Sequence, residues 1–285
     1  MNGDARYLKR KLTGHFMLTL SLLAAAATVL LLLWILGYVF IKGVSSITYD
    51  FFTQLPTPVG IPGGGMANAL VGSVIVVGMA AAVAVPVGVL TAIYISEYGK
   101  GFFASSVRFV ADVLAGVPAI VAGIVAYSLV VTPMGRFSAY AGSAALAILM
   151  LPIVIRSAEE MLRTVPDSLR EAALALGVPR WKTVLRIVLK TASGGVVTGV
   201  MLAVARVGGE AAPLLFTAFS NSFWNLRPDR AMATLPVQLF NYAISPYEDW
   251  HKKAWAAALV LIFGVLVMNV FAKWYGQRRT GGRGR

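Results

Sequence analysis

The sequence predicts an all-helical integral membrane protein, with six transmembrane helices in a single domain over residues 1–285. The composition is apolar, with 58% hydrophobic and 13% charged residues and a mean hydropathy of +0.75. Such a chain has too little polar surface to face water on all sides. Long apolar segments also recur along it, and a helix needs roughly 20 such residues to cross the hydrocarbon core. Lys and Arg, finally, are distributed unevenly between the loops.

The six predicted spans are of two kinds. Four are apolar almost throughout, at about residues 16–41, 67–95, 137–155 and 254–275. The other two, at about residues 107–132 and 194–219, each contain an acid and a base. We predict that these two segments also cross the membrane, because the charges lower the hydropathy without shortening the apolar run.

The first span follows a basic segment, as a secretory signal would. Its apolar run over residues 16–41 is longer than the roughly 7–15 residues of a signal-peptide core, and no small-residue cleavage pattern follows it. We therefore expect a retained helix. The chain has no cysteine, which excludes disulfides and thiolate metal sites.

The charge distribution predicts the orientation of the chain. The net charge is +13, but in a membrane protein basic residues mostly report topology rather than nucleic-acid binding. Most of the 25 Lys and Arg residues lie in the N-terminal segment, the C-terminal tail and the long connection over residues 156–193. The positive-inside rule therefore places both termini and this connection in the cytoplasm.

The cytoplasmic connection over residues 156–193 contains a short amphipathic helix. Pro166 and Asp167 provide a helix start, and Gly177 provides a stop. A second helix is expected after Pro179, with a basic face that would rest on the membrane surface. From periodicity alone, the hairpin could simply connect two spans.

The identity of the residues in this connection indicates a more specific role than a simple link between two spans. The pattern Glu171-Ala-Ala-x3-Gly177-x9-Ile187-x-Leu189 resembles the cytoplasmic signature of the permease subunits of ABC importers. The resemblance implies a type I ABC importer permease fold and a coupling helix that docks on a separate ATPase. The residues that it assigns to coupling are Glu171, Ala172, Ala173, Gly177, Ile187 and Leu189. Lys190 stands where the family usually has proline.

No catalytic site is expected in this chain. It has no G-x-x-x-x-G-K-[ST] motif and no H-E-x-x-H motif, so we predict a transport subunit rather than an enzyme. No metal site or cofactor is expected in the chain itself. ATP and Mg²⁺ would be bound by the partner ATPase.

Two acid–base pairs lie inside predicted spans, where a charge costs about 2.5–3.5 kcal/mol on insertion scales. Arg206 and Glu210 are four residues apart in the fifth span, and Arg108 and Asp112 repeat this spacing in the third. Each pair could be a structural ion pair on one helix face. Alternatively, Arg206 lines the route of an anion, because a guanidinium stays charged at any depth and binds oxyanions through two parallel hydrogen bonds. In this interpretation Glu210 belongs to the same route and compensates the charge of Arg206 when no anion is present. Arg108 and Asp112 are the weaker candidates for that route.

Two longer sequence segments limit the range of substrates. The segments Ala205-Arg-x-x-Gly-Glu-x-Ala-Pro213 and Ala231-Met-Ala-Thr-Leu-Pro-Val-Gln-Leu-Phe-Asn241 look like the A-type permease of bacterial phosphate importers. The resemblance implies transport of inorganic phosphate across the bacterial or archaeal plasma membrane. It also implies a second related permease, two ATP-binding subunits and an extracytoplasmic phosphate-binding protein as partners. Two alternatives stay open: a permease for another oxyanion, such as sulfate or molybdate, and a channel or ion-driven carrier that works alone.

Overall fold

The computed structural model describes residues 2–61, 63–99 and 101–281, and all regular structure in these ranges is helical. The first half of the chain forms α1 (Asn2–Val44), α2 (Tyr49–Thr53), α3 (Ala67–Ile93), the π turn π1 (Tyr94–Tyr98), α4 (Phe102–Ala115), α5 (Ala119–Ala126), π2 (Tyr127–Val131) and α6 (Thr132–Met134). The second half forms α7 (Ala139–Arg163), α8 (Asp167–Ala175), α9 (Arg180–Thr183), π3 (Val184–Val188), α10 (Leu189–Gly208), α11 (Ala212–Leu215), α12 (Leu235–Ala243) and α13 (Glu248–Gly281).

Five continuous helices are long and apolar enough to span a membrane, and a bent pair makes a sixth span if it is counted as one. That pair takes the place of the single helix expected over residues 107–132. The axis of Phe102–Ala115 meets that of Ala119–Met134 at 106°. Pro118 lies in the break. Proline lacks an amide proton and disfavours helical geometry in the residue before it, which explains why the helix stops here.

Other boundaries also differ from those expected. α7 continues to Arg163 instead of ending near residue 155, and α10 ends at Gly208 rather than near residue 219. The second helix of the cytoplasmic connection is not a separate element but the start of the fifth span. α9, π3 and α10 form one continuous 29-residue span over Arg180–Gly208, and Val184 and Val188 are buried. The connection therefore shortens from residues 156–193 to about residues 164–179.

The centre of the molecule is formed by α3, α7 and α10, which pack against one another. Their shared core contains Val76, Ala80, Leu146, Met150 and Ala203, all fully buried. Two of these residues are alanines, one on α3 and one on α10, and small side chains let helix backbones approach closely, as is common where helices pack in lipid.

Gly72 in α3 shows how close the approach is. A Cβ atom at this position would overlap the carbonyl oxygen of Ala233. Gly88 on the same helix would place a Cβ 2.7 Å from Cγ1 of Val154, whereas Gly78 faces open space. The packing of α3 therefore depends on glycine at the first two positions and not at the third.

The first span contrasts with this core. Within Tyr7–Val44 the most apolar window has no buried residue. Its contact with the rest of the chain is with α13, where the Tyr38 and Trp255 rings meet edge to face with 5.3 Å between centroids. The apolar surface of α1 is thus left for lipid or for another membrane subunit.

Candidate functional site

The break between α4 and α5 opens a cavity of about 270 Å³. It is lined by the last residues of α4, the first residue of α5, two residues of α7 and the segment at the end of α10. The lining residues are Leu114, Ala115, Val117, Pro118, Ala119, Leu149, Ile153, Arg206, Val207 and Glu210. The two charged residues singled out in the fifth span therefore both line one cavity.

Arg206 and Glu210 do not form an ion pair. No contact within 4.0 Å joins them in the described part of the chain, although the sequence spacing placed them on one face of a continuous helix. α10 ends at Gly208, and the amide of Glu210 donates to the carbonyl of Val207 at 3.1 Å in a turn beyond the helix. The end of the helix at this point is what separates the two side chains, so the guanidinium of Arg206 keeps its donors for another acceptor.

The start of α5 adds a second electropositive feature to the cavity. The first amides of a helix point out of its N-terminus and carry a partial positive charge, and Pro118 and Ala119 at this terminus line the cavity. Gly123 holds α5 against the segment that follows Glu210, because a Cβ there would lie 2.7 Å from Cα of Pro213. The positive end of α5 and Arg206 thus face the same space.

Arg108 and Asp112 do not pair with each other either, contrary to the pairing that their spacing suggested. The Arg108 Nε atom donates to Oε1 of Glu159 at 2.5 Å, and Asp112 pairs with Arg156. Glu159 is buried on α7 and also receives Arg163 at 2.7 Å. These charges hold α4 against α7, and any role in the anion route stays a prediction.

A larger cavity, of about 710 Å³, lies at the other end of the α5–α6 segment. Its lining includes Tyr127, Thr132, Arg136 and Arg230. Arg136 is held by Asp229 at 3.3 Å. One helical segment therefore runs between two cavities that each contain arginine.

The short helix of the connection between α7 and α10 has the expected form. Gly177 has φ 74, in the left-handed region, and the amide of Val178 donates to the carbonyl of Ala173 at 3.1 Å. Ala173 is buried, whereas Glu171 and Ala172 are exposed. Further along, Ile187 and Leu189 are half-buried. Large apolar side chains are also exposed on α8, at Leu169 and Leu174, and directly after it, at Leu176.

The structure adds three residues that the sequence did not single out. Arg170 binds the buried carboxylate of Glu97 through two nitrogens, at 2.7 Å and 3.2 Å. The hydrogen bonds to Glu97 raise the pKa of Arg170 above its ordinary value. Arg180 donates to the carbonyl of Glu97 and lies 5.0 Å from the centre of the Tyr98 ring. Glu97 and Arg170 are 73 residues apart, so no local spacing rule could have linked them.

Within residues 2–61, 63–99 and 101–281, no group of three or more His, Asp or Glu side chains is arranged to hold a metal ion.

Comparison with known proteins agrees with this organisation. Residues 84–281 match the family described as the binding-protein-dependent transport system inner membrane component. The chain is 43% identical over 265 residues to the phosphate transport system permease protein PstA of Yersinia pestis, covering 93% of this chain and 90% of that one. It is 42% identical over 279 residues to PstA of Haemophilus influenzae, covering 98% and 99%. It is 40% identical over 271 residues to PstA 1 of Mycobacterium tuberculosis H37Rv, covering 93% and 88%.

The fold is similar to that of a solved transporter. A structure titled as an inward-facing conformation of the MetNI methionine ABC transporter superposes with a TM-score of 0.58, over 76% of this chain and 94% of that one. The sequence identity is 17%. This likeness establishes the fold of an ABC importer permease.

Proposed function

Because the chain belongs to the PstA family of phosphate transport permeases, within the inner-membrane components of binding-protein-dependent transport systems, we propose that its charged cavity is the phosphate route. The chain is the permease subunit of a phosphate ABC importer, a multi-pass inner-membrane protein of bacteria. It works with other components of the transporter and is not itself catalytic.

The complete transporter, in this proposal, contains a second related permease, two ATP-binding subunits and a phosphate-binding protein outside the cell. ATP and Mg²⁺ bind to the ATPase subunits, since this sequence has no G-x-x-x-x-G-K-[ST] motif. The unburied apolar surface of α1 supports a neighbouring membrane subunit, because a large exposed apolar surface is typical of an interface or of contact with lipid.

The observation that carries the proposal is the cavity at the break between α4 and α5, with Arg206 and Glu210 in its wall. Arg206 offers planar donors that match phosphate oxygens and retains its charge in a nonpolar setting. The N-terminus of α5 adds partial positive charge to the same space. An oxyanion that has left its hydration shell finds replacement donors there.

Glu210 weakens anion binding, whereas Arg206 strengthens it, and a transporter needs both effects. A site with only positive charge would retain phosphate, and transport requires binding weak enough for release. The Glu210 carboxylate lies in the same cavity as Arg206 without an ion pair to it. It therefore lowers the affinity for an anion, and its charge balances that of Arg206 when the route is empty. Arg108 and Asp112 hold α4 in place beside the route.

Coupling to ATP hydrolysis is assigned to α8. Its exposed residues Glu171 and Ala172, with Leu176 directly after the helix, dock in a groove of the ATPase. Ala173 and Gly177 set the shape of the turn behind these residues. Leu189 packs against the buried cluster that contains Leu162 and Val188, and Ile187 is half-buried close to it in the chain. Movement of the ATPase then reaches the permease as a rigid-body shift.

Reconstitution tests the proposal. The full complex is placed in liposomes, ATP is supplied on the face that bears α8, and uptake of radiolabelled phosphate is measured with loaded binding protein outside. We expect ATP-dependent uptake that excess unlabelled phosphate abolishes and that sulfate and molybdate leave intact. Equal competition by sulfate or molybdate would assign a different oxyanion, and uptake by this chain alone without ATP would indicate a channel or carrier.

A further inference from the structure

The end of α3 is a junction between the coupling helix and the membrane helices. Here α3 continues into π1, whose closing hydrogen bond joins the amide of Gly99 to the carbonyl of Tyr94 at 2.7 Å. Three arginines from three different elements donate to this turn. Arg108 of α4 reaches the carbonyl of Ile95 at 2.5 Å, Arg170 of α8 binds the carboxylate of Glu97, and Arg180 of α9 reaches the Glu97 carbonyl.

Helix-end chemistry explains this convergence. The last carbonyls of a helix have no partner within the helix, and the C-terminal end carries a partial negative charge. Glu97 adds a full negative charge whose side chain is only 6% exposed. A buried carboxylate is costly unless it is paired and hydrogen-bonded, so Arg170 compensates the charge of Glu97, while Arg108 and Arg180 satisfy carbonyls of the same turn.

Arg170 also connects the end of α7 to this junction. Besides Glu97, it donates to the carbonyl of Leu162 at 3.1 Å and to that of Val165 at 2.5 Å, at the end of α7. One guanidinium therefore links α8 to the ends of both α3 and α7. Asp167 meets the same guanidinium at 3.0 Å, but its side chain is 87% exposed, so solvent screens this contact.

The junction continues toward the cavity through α4. Arg108 joins π1 to α4 and is bound at the same time by buried Glu159 of α7. The far end of α4 supplies Leu114 and Ala115 to the cavity wall, beside Arg206. Fixed contacts thus run from α8 through π1 and α4 to the cavity at the break.

We propose that Glu97 is a positioning residue for transport, and that the Glu97–Arg170 pair makes π1 and α4 follow the coupling helix, so that ATP-driven movement of α8 reshapes the cavity. This inference rests on the proposed function. It assigns to Glu97 the transmission of movement, whereas the binding of phosphate stays with Arg206.

The test is the ratio of phosphate taken up to ATP hydrolysed by the reconstituted complex. Glu97→Gln keeps the shape but removes the charge that binds Arg170, and we expect the ratio to fall roughly tenfold, within the range of coupling effects of single residues. ATP hydrolysis continues in this variant but is no longer stimulated by loaded binding protein. Glu97→Asp keeps the carboxylate and should restore most of the ratio.

Three further variants complete the design. Asp167→Asn should lower the ratio by no more than about twofold, because the lost contact is exposed. Glu160→Gln, an exposed position on α7, is the unchanged control. Arg180→Gln removes the second link to Glu97 from an exposed residue, where the fold tolerates the change, and should lower the ratio in the same direction as Glu97→Gln.

Wild-type ratios for Glu97→Gln and Arg180→Gln would overturn the inference. Loss of complex assembly in Glu97→Gln together with a wild-type ratio in Arg180→Gln would also overturn it, because Glu97 would then serve only the fold. If the wild-type complex hydrolyses ATP in response to its binding protein without taking up phosphate, the proposed function fails. In that case the stimulation of ATP hydrolysis still reports on the Glu97–Arg170 pair.

Discussion

Replacement of Gly177 isolates the effect of backbone conformation on coupling. Gly177 ends the α8 turn with φ 74, a conformation that residues other than glycine rarely adopt. A Cβ atom built at this position would meet no atom within 4 Å. Substitution therefore strains the backbone of the free chain without creating a clash inside it.

The expected loss of docking follows from the backbone strain alone, because no clash inside the chain contributes. An L-residue in the left-handed conformation costs roughly 1–2 kcal/mol. Because 1.4 kcal/mol corresponds to a factor of ten, Gly177→Ala should lower the population of the docking turn by roughly 5- to 30-fold. Asparagine tolerates this conformation better than other non-glycine residues, so Gly177→Asn should lose less, although its side chain is larger.

Two assays measure the loss of docking: co-purification of the ATPase with the tagged permease, and ATP-driven phosphate uptake. We expect both to rank Gly177 first, then Asn, then Ala. If Ala retains wild-type docking and Asn does not, the available volume against the ATPase controls the position, and the reasoning from φ is refuted.

Two other predictions concern the packing of the membrane helices. Gly72→Ala should lower the thermal midpoint of the purified complex, because the added Cβ would overlap the carbonyl oxygen of Ala233. Gly78 on the same helix faces open space, so Gly78→Ala should leave the midpoint unchanged. Equal midpoints for the two variants would contradict the close approach of α3 at Gly72. Glu159→Gln removes the buried charge shared by several arginines and should cost about 1.5–3 kcal/mol, the usual value for hydrogen bonds to charged groups. Exposed Glu160→Gln is its control, and an equal loss of stability in both variants would contradict the role of burial.

Hydropathy predicted that the chain is built from apolar helices, because it reports on lipid contact directly. The apolar run over residues 67–95 forms α3 and the start of π1, and the run over residues 254–275 lies within α13. The sequence also predicted that the short helix of the connection stops at Gly177, since a glycine that follows an amphipathic helix is a local signal.

The break in the third span could not be predicted from the presence of a proline alone. Pro118 was present in the sequence, yet proline is common in membrane helices and often only bends them. In this chain the residues around it leave the helix altogether, and the two halves meet at 106°. The angle depends on packing, including the contact of Gly123 with Pro213, which no local pattern shows.

The charge partners could not be predicted, because spacing within one helix was the only information available. Arg108 and Asp112 stand four residues apart, but each found a partner on α7, where Glu159 and Arg156 lie within reach. Arg206 and Glu210 share a cavity without pairing, since α10 ends between them. Tertiary structure decides which acid meets which base.

The most direct test of the phosphate route is the Arg206 series in the reconstituted complex. Arg206→Gln removes hydrogen bonds to a charged group, worth about 1.5–3 kcal/mol, so ATP-driven phosphate uptake should fall by roughly 10- to 150-fold. Arg206→Lys keeps the charge without the planar donors and should be intermediate. Arg227→Gln, in the exposed outer loop, is the control and should leave uptake near wild type. Wild-type uptake by Arg206→Gln would contradict the assignment of this cavity as the route of phosphate.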